Sequence, residues 1–204
     1  MTRVAGLLLT GGSSRRLGVD KTSLILDGET LAARAARLLT DRCAQVVEVG
    51  PGVTDLRSVR ETPAGGGPLA ALVAGAKALC DPETDPPGAL VLLACDLPWV
   101  APALDALIDT ASHAEVVVPV DEGGRRQYVC ARYGSRALVK AAALVAEGAR
   151  SLHELVDSMD VVLEVAGFPR GTFADIDEPD DARRAGIDLE RGTDPSGVSP
   201  DPRR

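Results

Sequence analysis

The stretch Leu7-Leu8-Leu9-Thr10-Gly11-Gly12-Ser13-Ser14-Arg15-Arg16-Leu17-Gly18-Val19-Asp20-Lys21 decides how the rest of the chain is read. It begins as a short apolar run, which predicts a buried strand over Val4–Leu9. It then breaks into Gly11-Gly12, where the missing Cβ atoms let backbone amides approach a ligand closely. Exposed amides in such a turn suit an anion, and Arg15, Arg16 and Lys21 follow as clustered cations. In an open α/β sheet ligands bind at the carboxyl ends of the strands, which is where this loop falls. The expected ligand is a nucleoside triphosphate, with Arg16 and Lys21 brought onto its phosphates.

The remaining chain alternates strands and helices. Helical spacing of Leu31, Ala35, Leu38 and Leu39 predicts a helix over 30–42 capped by Thr30. Strands are expected at Gln45–Val49 and, more weakly, at Leu56–Arg60. Pro63-Ala64-Gly65-Gly66-Gly67-Pro68 opens into a helix over Leu69–Leu79, with Gly and Pro placed as at a helix start. Ala89–Ala94 is the most apolar run and predicts a central parallel strand. A helix over Pro102–Ser112 follows it. Glu115–Val120 and Gln127–Tyr133, joined by the turn Asp121–Gly124, predict an antiparallel pair. Helices are expected at Ser135–Glu147 and at Ser151–Val156, the latter with Ser151 and Glu154 as a capping box. A strand at Asp160–Val165 and a helix after Glu178-Pro179 complete the pattern. The result is an α/β fold: a doubly wound, Rossmann-like domain over residues 1–188, with a mostly parallel sheet and one antiparallel strand pair. Residues 189–204, rich in Gly, Asp, Pro, Ser and Arg, are expected to form a disordered tail.

Composition narrows the function classes. The chain has 204 residues, a net charge of −8 and 2% aromatic residues. It lacks the basic face and the stacking platforms of a nucleic-acid binder. No apolar run reaches membrane-spanning length and no secretory leader is evident, so a cytoplasmic protein is expected. Cys43, Cys80, Cys95 and Cys130 show no metal-binding spacing and read as buried, reduced small hydrophobes. His113 and His153 read as surface or packing residues. Gln127, Tyr128 and Arg132 lie on a strand that could reach an acceptor pocket, although strand packing explains them equally well.

The phosphate loop fits neither common design. Lys does not directly follow Gly18, so the Walker pattern fails, and GxGxxG is absent. Nucleotidyl transfer needs a divalent metal held by a few carboxylates and by phosphate oxygens. Asp96, in Cys95-Asp96-Leu97-Pro98, follows the central strand and is a candidate metal ligand. Asp177 is either a second ligand or the N-cap of the last helix.

Taken together, LLLTGGSSRRLGVDK, Gly67-Pro68-Leu69, Cys95–Leu104, Gly148–Leu152 and Asp175–Asp181 resemble the small nucleotidyltransferases of glycosyltransferase-A-like fold, on their molybdenum cofactor guanylyltransferase branch. The resemblance implies transfer of GMP from GTP to the terminal phosphate of molybdopterin or its molybdenum form, with release of pyrophosphate and use of Mg²⁺. It implies that Leu9, Thr10, Gly11, Gly12, Ser13 and Gly67 line the nucleotide and that Arg16 and Lys21 contact phosphates. Asp96 would hold Mg²⁺, with Asp177 as a second residue on the metal side. Molybdoenzymes or their chaperones are implied partners. The chain departs from the family pattern in three places. Thr10 stands where many relatives have Ala. Glu61-Thr62 stands where an Asp helps to recognise guanine, so Glu61 would serve only with a one-residue shift in register. Asp175-Ile176-Asp177 stands where relatives have Asn-x-Asn. Two alternatives stay open at this point: a related enzyme with another base or acceptor (cytidylyl, phospholactate or sugar phosphate), or a non-catalytic nucleotide-binding protein that delivers the cofactor.

Overall fold

The computed structural model describes residues 4–11, 17–80 and 88–189. Gly12, Ser13, Arg16 and all but the first residue of the expected disordered tail lie outside them. The first strand, β1 (Val4–Leu9), is followed by a 3-10 turn over Lys21–Ser23. A hairpin, β2 (Ile25–Leu26) and β3 (Glu29–Thr30), then turns on Asp27 and Gly28. It leads into α1 (Leu31–Thr40), where the Thr30 hydroxyl accepts the Ala33 amide as a cap. Next come β4 (Val46–Val49), the two-residue β5 (Ser58–Val59) and α2 (Pro68–Leu79). After these follow β6 (Ala89–Ala94), α3 (Ala101–Asp109), β7 (Val116–Pro119) and β8 (Cys130–Gly134). The chain continues through α4 (Ser135–Ala146), α5 (Leu152–Asp157), β9 (Val162–Val165) and α6 (Pro179–Arg184).

Seven strands form one sheet in the order β5-β4-β1-β6-β8-β7-β9. All neighbours are parallel except β8, which runs antiparallel to both β6 and β7. The sheet is therefore the expected mostly parallel one, and its antiparallel strand sits inside it rather than at an edge. Side chains alternate along β1 and β6 between two cores. Leu7, Leu9, Leu90 and Leu92 face α2, α4 and α5, while Leu8, Val91 and Leu93 face α1 and α3. Both faces are covered, which is why these strands read as continuous apolar runs.

A third cluster packs Leu17, Leu24, Leu26 and Leu31 against Ile176, Ala182 and Ile187. It ties the segment after the glycine loop to the last helix. Among the described residues no helix is long and apolar enough to cross a membrane.

Four local expectations change. Ser151 caps α5 by accepting the His153 amide, one position earlier than a capping box with Glu154 would require. The ladder of β8 begins at Cys130, so Gln127 and Tyr128 precede it. Arg132 is buried and donates to the Leu107 and Thr110 carbonyls at the end of α3, which makes it a packing residue and removes it from any acceptor pocket. Of the cysteines, Cys95 and Cys130 are buried, but Cys43 is half-buried and Cys80, at the end of α2, is exposed.

Candidate active site

Three neighbouring strands, β4, β1 and β6, end beside one another, and a cavity of about 1080 Å³ opens at their carboxyl ends. That volume lies just above the usual range for small-molecule sites, about 300–1,000 Å³. Leu9, Thr10 and Gly11 line it after β1, Gly50 and Pro51 after β4, and Asp96 after β6. Glu61, Gly65, Gly67 and Arg150 form part of a further wall. The expected nucleotide residues Leu9, Thr10, Gly11, Glu61, Gly67 and Asp96 are thus brought to one place. Thr62 is exposed and is not among the lining residues.

Gly67 occupies a backbone conformation that is essentially confined to glycine, φ 87° and ψ 178°. A Cβ there would lie 2.9 Å from the Arg150 carbonyl oxygen. That carbonyl accepts the Leu69 amide, and the Arg150 guanidinium donates to the Gly65 carbonyl. Glu61 accepts the Gly65 amide at 2.9 Å. The glycine-rich turn before α2 is therefore held from both sides.

The charged end of the site is built by three separated segments. The Asp20 carboxylate caps the 3-10 turn by accepting the Thr22 amide and hydroxyl, and so fixes the turn on which Lys21 stands. The Ile176 amide donates to the Asp96 carbonyl at 3.1 Å. Ile176 is buried in the third cluster, so Asp175 and Asp177 flank it beside Asp96. The Lys21 ammonium lies 3.1 Å from Asp96 and also bonds Asp177. Burial pushes the Lys21 pKa down, but the hydrogen bonds and charges of Asp177 and Asp96 outweigh it and hold the ammonium above the usual lysine value. Burial, together with the charges of Asp177 and Asp96, raises the Asp175 carboxyl above its usual range.

The cap reading of Asp177 is not what forms. Glu178 is the N-cap of α6, in a reciprocal box with Asp181. The Asp181 carboxylate accepts the amides of both Asp177 and Glu178. The Asp177 side chain points instead to Lys21.

Among the described residues no three His, Cys, Asp or Glu side chains are grouped to hold a metal unaided. Asp96 and Asp177 still fit Mg²⁺, which commonly takes one or two carboxylates and completes its shell with water and substrate phosphates. Neither histidine lines the cavity; His153 packs edge-on against Tyr128 and lies 3.2 Å from Asp157.

Arg60, Asp20, Asp175 and Arg150 also line the cavity, although the sequence assigns them no role. Asp20, Asp175 and Arg150 fall inside the recognisable motifs, and Arg60 does not. Gln127, which the sequence sets on a strand able to reach an acceptor pocket, lines the cavity while bonding Asp121.

The family described as MobA-like NTP transferase domain matches residues 6–161. The chain is 35% identical over 170 residues to a protein of Mycobacterium avium (strain 104) named probable molybdenum cofactor guanylyltransferase, covering 78% of this chain and 83% of that one. Its fold is similar to the crystal structure of molybdopterin-guanine dinucleotide biosynthesis protein A from Archaeoglobus fulgidus. The TM-score is 0.72 at 21% identity, over 89% of this chain and 96% of that one. It is also similar to the manganese complex of Rv0371C from Mycobacterium tuberculosis H37Rv, with a TM-score of 0.66 at 22% identity, over 90% of this chain and 98% of that one.

Proposed function

This chain belongs to the MobA-like NTP transferase family, and from that premise we propose that it transfers GMP from GTP to the terminal phosphate of molybdopterin or its molybdenum form, releasing pyrophosphate. The observation that carries the reading is the meeting of Lys21, Asp96 and Asp177 beside a cavity lined by Leu9, Thr10, Gly11 and Gly67. Cations and carboxylates together suit a triphosphate and its metal, whereas carboxylates alone would repel it.

The reaction forms a bond between the acceptor phosphate oxygen and the α-phosphorus of GTP, and it breaks the bond to the β-phosphate. The electron pair leaves with pyrophosphate. The acceptor phosphate is already ionised at neutral pH, so no general base is required, in keeping with a cavity that no histidine lines. Both reactants are anionic, so the protein's work is to align them and offset their repulsion. Lys21 would contact the phosphates, and the Gly11 amide after β1 would add a further donor. Asp96 and Asp177 would hold Mg²⁺, which when bound supplies charge to stabilise the leaving pyrophosphate. Arg16, outside the described residues, is proposed to join Lys21 there, and Gly12 and Ser13 to extend the amide cradle. Glu61, which lines the cavity where Thr62 does not, would read the base.

Pyrophosphate release should be measured with each nucleoside triphosphate in turn, with and without molybdopterin. Release with GTP and molybdopterin together supports the proposal. Release that prefers CTP would assign another base, and tight GTP binding without release would assign a carrier.

A further inference from the structure

Glu48 takes no part in this chemistry, yet it is fully buried in the otherwise apolar β4. A buried carboxylate is costly unless its oxygens are hydrogen-bonded. One oxygen accepts the Thr10 hydroxyl at 2.5 Å and the amides of Gly52 at 2.8 Å and Val53 at 2.9 Å. The other accepts the Thr54 amide at 3.0 Å and the Thr54 hydroxyl at 2.6 Å. Burial pushes its pKa up, but the donors, Thr10 first, outweigh that and hold it below the usual carboxylate value. Glu48 is therefore an ionised anchor beneath two loops.

Those two loops touch. The Thr10 amide donates to the Val49 carbonyl, and a Cβ on Gly50 would come within 2.1 Å of the Thr10 hydroxyl oxygen. Thr10, Gly11, Gly50 and Pro51 all line the cavity. Adjacent strands lie about 4.8 Å apart, so the end of β4 is about 10 Å across the sheet from Asp96 at the end of β6. With phosphates and metal at Asp96, the nucleoside end of the donor would face β4, whose following residues Gly50 and Pro51 line the cavity.

We propose that Glu48 is a positioning residue for the donor nucleotide: through the Thr10 hydroxyl and the amides of residues 52–54 it sets the spacing between the loops after β1 and β4 that grip the nucleoside end. The proposal rests on the nucleotidyltransferase reading of the cavity. It makes Thr10 a linker to Glu48 through its side chain.

The test is calorimetric binding of GTP, CTP and ATP with Mg²⁺ to the full chain and to Thr10→Val, Thr10→Ser and Glu48→Gln, with melting temperatures measured in parallel. A hydrogen bond to a charged group contributes about 1.5–3 kcal/mol, so its loss should weaken binding about tenfold or more. Thr10→Val, which keeps shape but loses the hydroxyl, should show that loss, and the KM of the same nucleotide should rise more than kcat falls. Thr10→Ser should restore binding. Glu48→Gln should weaken binding similarly; if it does not fold, the Thr10 pair decides. Wild-type affinity in a folded Thr10→Val overturns the proposal. Binding of CTP in place of GTP overturns the guanylyl assignment alone, and the Thr10 comparison is then read on CTP. Binding of none of the three overturns both.

Discussion

The Lys21 ammonium lies 3.1 Å from the Asp96 carboxylate, 75 residues away in sequence. This pair joins the loop after β1 to the loop after β6, and Asp177 brings in the segment before α6. Removing either member removes a charge and one side-chain tie between these segments, so single substitutions here test chemistry when folding is measured alongside.

Asp96→Ala is expected to lower GTP turnover about a hundredfold, equivalent to about 3 kcal/mol in the barrier, which is the usual scale for one electrostatic partner in a transition state. Circular dichroism should be unchanged, because the Asp96 backbone carbonyl still accepts the Ile176 amide. Full activity in the variant would remove Asp96 from the site.

Asp177 and Asp181 should separate by phenotype. Asp181 completes the capping box of α6 by accepting the Glu178 amide, so Asp181→Ala should cost about 1 kcal/mol of stability in a denaturant titration. Asp177→Asn should instead raise the Mg²⁺ concentration needed for half-maximal turnover. Turnover should stop on chelation by EDTA and return when Mg²⁺ is restored. Equal effects of both substitutions on stability, with no change in metal dependence, would return Asp177 to a structural role.

Gly67→Ala forces a side chain into a backbone region open essentially to glycine and toward the Arg150 carbonyl. The expected cost is about 1–3 kcal/mol. Nucleotide affinity should fall with it, because the displaced turn also carries Gly65, whose amide Glu61 binds. Thermal melts and nucleotide titration check the two parts separately.

The cysteines should differ in reactivity. Burial pushes the thiols of Cys95 and Cys130 up to about 12, and that of Cys43 up to about 11. The thiolate is the reactive species, so these thiols should resist alkylation near neutral pH. Cys80 is exposed. Peptide mapping of the native protein treated with iodoacetamide should find modification at Cys80 and little at Cys95 or Cys130.

How much of this was legible in the sequence depended on whether the cause was local. β1 and β6 announced themselves because both faces are buried and the apolar run is unbroken. The turn at Gly67-Pro68 was legible because its backbone demands glycine. The double antiparallel placement of β8 was not, since strand order depends on pairings between distant segments. Glu48 gave no signal: a single Glu in Val46-Val47-Glu48-Val49 looks like a solvent-facing position until the donors of the loop after β4 fold back over it. Asp177 was ambiguous because Asp177 and Glu178 both precede Pro179, and the choice between them is made by Asp181. Acceptor contact and packing both stayed open for Arg132 because its partners are backbone carbonyls at the end of α3, which no side-chain pattern records.

The most direct test of the central assignment follows the phosphorus atoms. The chain should be incubated with molybdopterin, Mg²⁺ and GTP labelled either on the α-phosphate or on the γ-phosphate. The α-label is expected in a pterin dinucleotide and the γ-label in pyrophosphate, in equal amounts. A γ-label transferred to the acceptor, or an α-label that never leaves the free nucleotide pool, would contradict the assignment.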